Sequence, residues 1–307
     1  MGIELVKEKY SGSINTVEIG RSGRGPVKIG GQTMLPFLFE EGQMPHPPVV
    51  ALEVLDCEPA DWPEPLNKAW GDSLKDPVKW AQRCVSEFGA KILCVRMQSI
   101  HPDWGGRASD EAVAALKAIA QAVRVPLVVT GCGDDDKDNE ALPKASQALK
   151  GENCLFGIAT QDNYKTLTAT CLADGHSIIA ESPIDINIAK QLNILITDMG
   201  FDAKKIVMHP TTTSLGYGME YVYSIMERAR LAAFIGDKML SMPLALFVGQ
   251  EVWKVKEAKE LGERQGVNWE LATSVAMLQA GADLLIVRHP ETARLATKYI
   301  DMIMRKQ

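Results

Sequence analysis

Within residues 180–199, AESPIDINIAKQLNILITDM, Asp185, Asn187 and Gln191 bring one carboxylate and two carboxamides into a single short stretch. Such groups hold a polar ligand by donating and accepting hydrogen bonds. The stretch also reads as an apolar strand, 176–180, running into a helix. Ser182 is then the expected N-cap, Pro183 the first helical residue, and Asp185 a side chain bonding back to the first turn. Ile184, Ile188, Leu192 and Leu195 keep helical spacing. The plainer reading makes Asp185 a helix cap and leaves Asn187 and Gln191 solvated.

The same junction recurs along the chain. Ends of apolar runs carry Glu53 and Asp56; Arg96 and Gln98; Thr130, Cys132 and Asp134; Gln161 and Asn163; His209, Thr211 and Thr212; Gly249 and Gln250; Arg288 and His289. The set is rich in amides and hydroxyls and poor in reactive centres.

The elements that must position these residues alternate regularly. Strands are predicted at 48–54, 91–97, 126–130, 154–159, 176–180, 205–209, 243–248 and 282–287, each followed by a helical pattern. The helix after 243–248 is read as one stretch, 251–279, and the Pro- and Trp-rich segment CEPADWPEPLNKAWGD as a loop. Helices between consecutive strands require a parallel sheet with right-handed crossovers. Eight even units over about 250 residues predict an α/β fold, a closed (β/α)8 TIM barrel, over an open doubly wound sheet. Residues 13–31 read as two short strands around a Gly-rich turn. The expected organisation is an N-terminal extension, 1–48, whose β-hairpin packs on the barrel as a lid, and a barrel, 49–307. In such a barrel the loops after the strands share one face, which is the functional one.

The 307 residues, 46% hydrophobic and 23% charged, are those of an ordinary globular protein, and a net charge of -6 argues against nucleic acid or an anionic membrane as partner. No run approaches the roughly 20 apolar residues that span a bilayer, and the start, MGIELVKEKYSG, has no apolar core, so a cytoplasmic location is expected. Six cysteines lie without any CxxC pair, which supports neither a zinc site nor an iron–sulfur cluster in this chain. Cys132, in a Gly-Cys-Gly turn, is the one expected to be exposed.

Other chemistries find little support. His209 and His289 have no HxH or HExxH spacing and read better as satisfied histidines at strand ends. Ser182 and Ser214 lack a nucleophile elbow. The loop TSLGYG, with Gly216, could let backbone N–H groups approach an anion, but it lacks a P-loop lysine and serves equally as a tight loop. Of the cobalt-ligating DxHxxG pattern, Asp174 and His176 supply the first half, and Ile179 stands where the glycine is required.

Long segments carry a family resemblance. Residues 151–196, 216–243, PLVVTGCGDDDKDNE, EVLDCEPADWPEP and LQAGADLLIVRHPE resemble the small subunit of the corrinoid iron–sulfur protein of the reductive acetyl-CoA pathway, the acetyl-CoA decarbonylase/synthase delta subunit family. The resemblance covers nearly the whole chain. It implies a (β/α)8 barrel paired with a large subunit that alone carries the [4Fe-4S] cluster and a mobile corrinoid domain. A cobamide (cobalamin) lies between the subunits. A methyl group passes from methyltetrahydrofolate, through a separate methyltransferase, to cobalt and on to acetyl-CoA synthase. On this reading the chain shields the cofactor rather than acting as an independent catalyst, and Gln161, Asn163, Asp185, Asn187, Gln191, Thr211, Thr212 and Gly216 are its expected cofactor contacts. The alternative is a pterin-binding barrel methyltransferase acting on methyltetrahydrofolate, with Asp185, Asn187 and Asn163 on the pterin.

Overall fold

The computed structural model describes residues 6–305. A hairpin of β1 (Thr16–Ile19) and β2 (Val27–Gly30) precedes the barrel strands β3 (Val49–Leu55), β4 (Leu93–Arg96), β5 (Leu127–Thr130), β6 (Leu155–Ala159), β7 (Ser177–Glu181), β8 (Ile206–His209), β9 (Ala245–Leu246) and β10 (Leu284–Val287). The eight barrel strands run in the order β8-β7-β6-β5-β4-β3-β10-β9. Their pairings are all parallel. A parallel bridge between Met208 and Leu244 joins the two ends of that order, with the Met208 amide donating to the Pro243 carbonyl at 2.8 Å. The predicted barrel is therefore the observed fold, with all eight strands where alternation placed them.

Two apolar shells hold it. Outward-facing side chains such as Leu52, Val54, Val95, Val129 and Phe156 pack under the helices. Inward-facing ones, among them Ala51, Cys94, Val128, Leu155, Ile179, Val207 and Ile286, fill the interior. Successive strand residues point to opposite faces, so the residue two places beyond an inward apolar one also points inward. Ala51 leads to Glu53, Cys94 to Arg96, Ile179 to Glu181, Val207 to His209 and Ile286 to Arg288. The interior is thus apolar at the strand starts and charged at the strand ends.

The hairpin corrects one expectation. Val17, Ile19 and Ile29 belong to the same interior cluster as Ala51, Ile92 and Leu284, residues at or near the starts of their strands. The hairpin is a plug under the foot of the barrel, not a lid over its mouth. Gln32 reinforces it by donating to the buried Asp283 at 2.5 Å, and Asp283 also accepts from Arg230 and from the Leu244 amide.

Four local readings also change. The helix after β7 is Ile186–Asp198, and its N-cap is Asp185, whose carboxylate accepts from the Asn187 and Ile188 amides at 2.7 and 3.2 Å. Ser182 precedes it because its amide still pairs with the His209 carbonyl of the neighbouring strand. The expected long helix after β9 is three helices, Val248–Val252, Lys256–Glu260 and Glu263–Gln279, the last preceded by Gly262 in the left-handed region. The segment read as a loop after β3 contains the helix Glu64–Trp70. Cys132 is buried, whereas Cys57 is the partly exposed cysteine. Among the described residues no helix is long and apolar enough to cross a membrane.

Candidate functional site

The floor of the barrel mouth is a charge network centred on Glu53. Its Oε1 accepts from Arg96 Nε at 3.2 Å and Gln250 Nε2 at 2.7 Å, and its Oε2 from Arg288 Nε at 2.5 Å. Burial pushes the Glu53 carboxyl upward, but Arg288 and Arg96 override it and hold the group below its usual range. Arg288 also lies over the Trp62 ring at 5.1 Å. Its backbone is fixed by Glu270, a fully buried carboxylate that accepts from the Arg288 and His289 amides at 2.7 and 3.2 Å. Gly249 allows this approach, since a Cβ there would lie 2.6 Å from the Arg288 nitrogen.

Above this floor is a cavity of about 220 Å³ lined by Arg96, Asp135, Asp138, Asn163, Glu181, His209, Thr211, Thr212 and Gln250 among others. His209 is buried, and its Nδ1–H donates to the Ala245 carbonyl at 3.0 Å while Phe247 packs edge-on at 4.9 Å. That bond fixes the tautomer and leaves the Nε2 lone pair free, 3.6 Å from Glu181 Oε1. Burial lowers the His209 pKa, with Glu181 opposing it, so the ring is held toward its neutral form. Thr211 has φ of 61°, a left-handed conformation rare for a β-branched residue, and its hydroxyl donates to the Ser182 carbonyl at 2.8 Å. Asp138 is enclosed by the turn after β5, accepting from the Cys132 and Gly133 amides at 2.7 and 3.0 Å. Burial raises its pKa.

Of the expected cofactor contacts, Asn163, Thr211 and Thr212 line this cavity, and Gln161, Asp185, Asn187, Gln191 and Gly216 do not. Asn163 builds the wall: its Oδ1 accepts from the Thr160 amide at 2.8 Å, and its Nδ2 donates to Ile158 O and Asp135 Oδ1 at 3.1 and 3.3 Å. Thr212 accepts from the Phe247 amide at 2.9 Å. Gln161, Asn187 and Gln191 are exposed on the segments that follow β6 and β7. Gly216 has φ of 79°, in a loop held by the bond from Trp269 Nε1 to the Leu215 carbonyl. Glu181 was not singled out. The two-residue step from the inward Ile179 is the signal that finds it.

A larger cavity, about 490 Å³, lies at the foot of the barrel between Pro26, Val27, Pro48, Val50, Phe88, Ala293 and Ile300. Its walls are mostly apolar, and it lies far from the charged strand ends, so the mouth is the candidate site despite its smaller volume. Among the described residues no three His, Cys, Asp or Glu side chains gather into a group able to hold a metal ion. His176 has both ring nitrogens engaged, Nδ1 accepting from the Cys154 amide and Nε2 bonding the Ser146 carbonyl, each at 3.1 Å.

Residues 16–304 match the family model described as CO dehydrogenase/acetyl-CoA synthase delta subunit. The chain is 35% identical over 292 residues to the acetyl-CoA decarbonylase/synthase complex subunit delta of Methanothermobacter thermautotrophicus, spanning 93% of this chain and 75% of that one. It is 34% identical over 294 residues to the corresponding subunit of Methanocaldococcus jannaschii, spanning 92% and 72%. Among solved structures, the 7,8-dihydropteroate synthase of Vibrio fischeri ES114 superposes with a TM-score of 0.58 at 11% identity, over 87% of this chain and 97% of that one. The dihydropteroate synthase of Yersinia pestis gives 0.57 at 14%, over 86% and 95%. These two likenesses establish the barrel fold alone.

Proposed function

Because this chain belongs to the CO dehydrogenase/acetyl-CoA synthase delta subunit family, we propose that it caps and shields a cobamide held jointly with a large subunit. It is the small subunit of a corrinoid iron–sulfur methyl carrier, and so works within a complex. On our reading the large subunit alone carries the [4Fe-4S] cluster. A separate methyltransferase delivers the methyl group from methyltetrahydrofolate, and acetyl-CoA synthase receives it.

The observation that carries this reading is that the strongest charges of the mouth are engaged with one another. Both Glu53 oxygens accept from neighbouring side chains, Arg96, Arg288 and Gln250. The result is a rigid polar floor with no nucleophile on it. A corrin is a flat macrocycle rimmed by amide arms and is far larger than a cavity of about 220 Å³. The residues therefore fit it as a group lying across the mouth rather than sinking into it, with the exposed Gln161 and Asn187, and Gln191 further along the same helix as Asn187, as the groups that would bond its arms, and Thr211 and Asn163 lining the cavity. When bound, the cobamide supplies the cobalt that accepts and releases the methyl group. This chain's part is to hold the arms and keep water away. The pterin alternative fits less well, since Asp185 and Asn187 lie outside the cavity that Asn163 lines.

The test is an absorption spectrum and cobalt analysis of the chain purified alone and with its large subunit, followed by titration of each with methyltetrahydrofolate. Corrinoid bands in the pair only, with no folate binding by the lone chain, support capping. Tight folate binding by the lone chain overturns it in favour of a methyltransferase.

A further inference from the structure

We propose that Glu181, His209 and Thr211 form a receptor for one –NH2 group borne on a carbonyl-type carbon, filled by a carboxamide arm of the corrin. The proposal rests on the capping reading and narrows it to one corner of the mouth.

Two acceptors face each other there without a hydrogen between them. His209 donates its Nδ1 proton to the Ala245 carbonyl, so Nε2 presents a lone pair, and Glu181 Oε1 stands 3.6 Å away. His209 is 4% exposed, and its Nε2 makes no hydrogen bond among the described residues. Both residues line the cavity, so the pair offers it acceptor capacity that no protein donor fully takes up and that a ligand's donor can use. Protonation of His209 would supply one, but burial holds the ring toward neutrality. The Thr211 hydroxyl does not fill the gap, because it is held at 2.8 Å by Ser182 O and only 3.4 Å from Glu181 Oε1. Thr211 is kept in its left-handed conformation at this corner, as residues at ligand clamps often are.

An –NH2 on a planar carbon carries two hydrogens and suits two acceptors. Its carbonyl partner would meet a donor in Arg96, which lines the same cavity. A carboxylate arm of the same shape would instead face Glu181 with like charge. The corner should therefore distinguish an amide from the acid made by hydrolysing it. The same –NH2 chemistry occurs on amino-substituted heterocycles, so the source of the group must be part of the test.

The experiment uses the chain paired with its large subunit and freed of corrinoid. It is titrated by absorption with cobalamin, with a set of cobalamin monoacids in each of which one acetamide or one propionamide is hydrolysed, and with 2-amino-4-oxopteridine. One monoacid should bind the wild-type pair about tenfold or more weakly than cobalamin, and Glu181→Gln should close that gap by weakening the amide and sparing the acid. His209→Asn, a second neutral change, should narrow it as well. Equal binding of every monoacid by the wild type, or a gap that survives both substitutions, overturns the receptor. Saturable pteridine binding that Glu181→Gln abolishes overturns the corrin arm as the source. Failure of the wild-type pair to take up cobalamin at all overturns the capping reading itself.

Discussion

Glu53 Oε2 and Arg288 Nε meet at 2.5 Å across the junction of the first and last barrel strands in sequence, 235 positions apart in the chain. β3 and β10 are neighbours in the sheet, and this pair ties their mouth ends as the ladder from Val49 to Leu52 ties their starts. The carboxylate is fully buried, so its value to the fold depends on keeping its partners. Glu53→Gln would leave two guanidinium groups without their counter-charge and should destabilise the fold by about 3 kcal/mol. Urea unfolding of the two proteins checks this, and an unchanged midpoint would show that the network contributes little.

The buried histidines predict a pH dependence. His176, His209 and His289 are all held below the ordinary 6.5, chiefly by burial. Below that pH the unfolded chain takes up protons that the folded chain refuses. The histidines' contribution should be full above about pH 6.5 and be lost as the pH falls toward the folded values. Glu53 acts in the same direction at lower pH, since its folded value is also depressed from 4.5. The buried carboxyls of Asp56, Asp138 and Glu270, raised by burial, act the other way, so the histidine effect is read as a difference between proteins. The urea midpoint of His176→Gln should gain on that of the wild type as the pH falls from about 7.5 to about 5.0, and a difference that stays constant over that range would sink the argument.

The division of the chain into an extension and a barrel is also testable. Val17, Ile19 and Ile29 are fully buried against the barrel interior, and each side chain contributes about 2 kcal/mol by burial. We propose that residues 1–48 and the barrel unfold as one unit. Deleting residues 1–31 should then abolish cooperative unfolding, because it uncovers the foot of the barrel. A truncated chain that melts in one sharp transition near the wild-type temperature would show an independent barrel.

Much of this architecture was legible in the sequence because it is local. Runs such as LCVR and IVMH, each followed by a helical pattern, specify a strand and its crossover without reference to the rest of the chain. The helix start after β7 is less legible, because it depends on a contact distant in the chain. Ser182-Pro183 has the composition of an N-cap, but the Ser182 amide is claimed by His209 on the next strand, and Asp185 becomes the cap. The candidate site was legible only in part. Period-two alternation carries the inward direction from Ile179 to Glu181, but the meeting of Glu181 with His209 depends on which strands become neighbours.

That reassignment separates two acids four residues apart. Asp185→Ala removes a cap that bonds two amides and should cost about 1 kcal/mol of stability. It should leave cobalamin affinity and monoacid discrimination unchanged, whereas Glu181→Gln should alter the discrimination with little effect on stability. Parallel urea and absorption titrations of both variants check the contrast. Loss of corrinoid binding in Asp185→Ala with wild-type stability would return Asp185 to the site.

Thr211 combines an unfavourable backbone with a useful hydroxyl, and two substitutions separate them. Its φ of 61° costs a β-branched residue about 1–2 kcal/mol, while the bond from its hydroxyl to Ser182 O contributes about 1 kcal/mol. Thr211→Gly relieves the backbone and loses the bond, so its stability should match or exceed that of the wild type. Thr211→Val keeps the branched shape and the strain but loses the bond, so it should be less stable than the wild type by about 1 kcal/mol. The expected order in urea is therefore glycine at or above threonine, and valine below both. A valine variant as stable as the glycine variant would mean that no strain is held at this position.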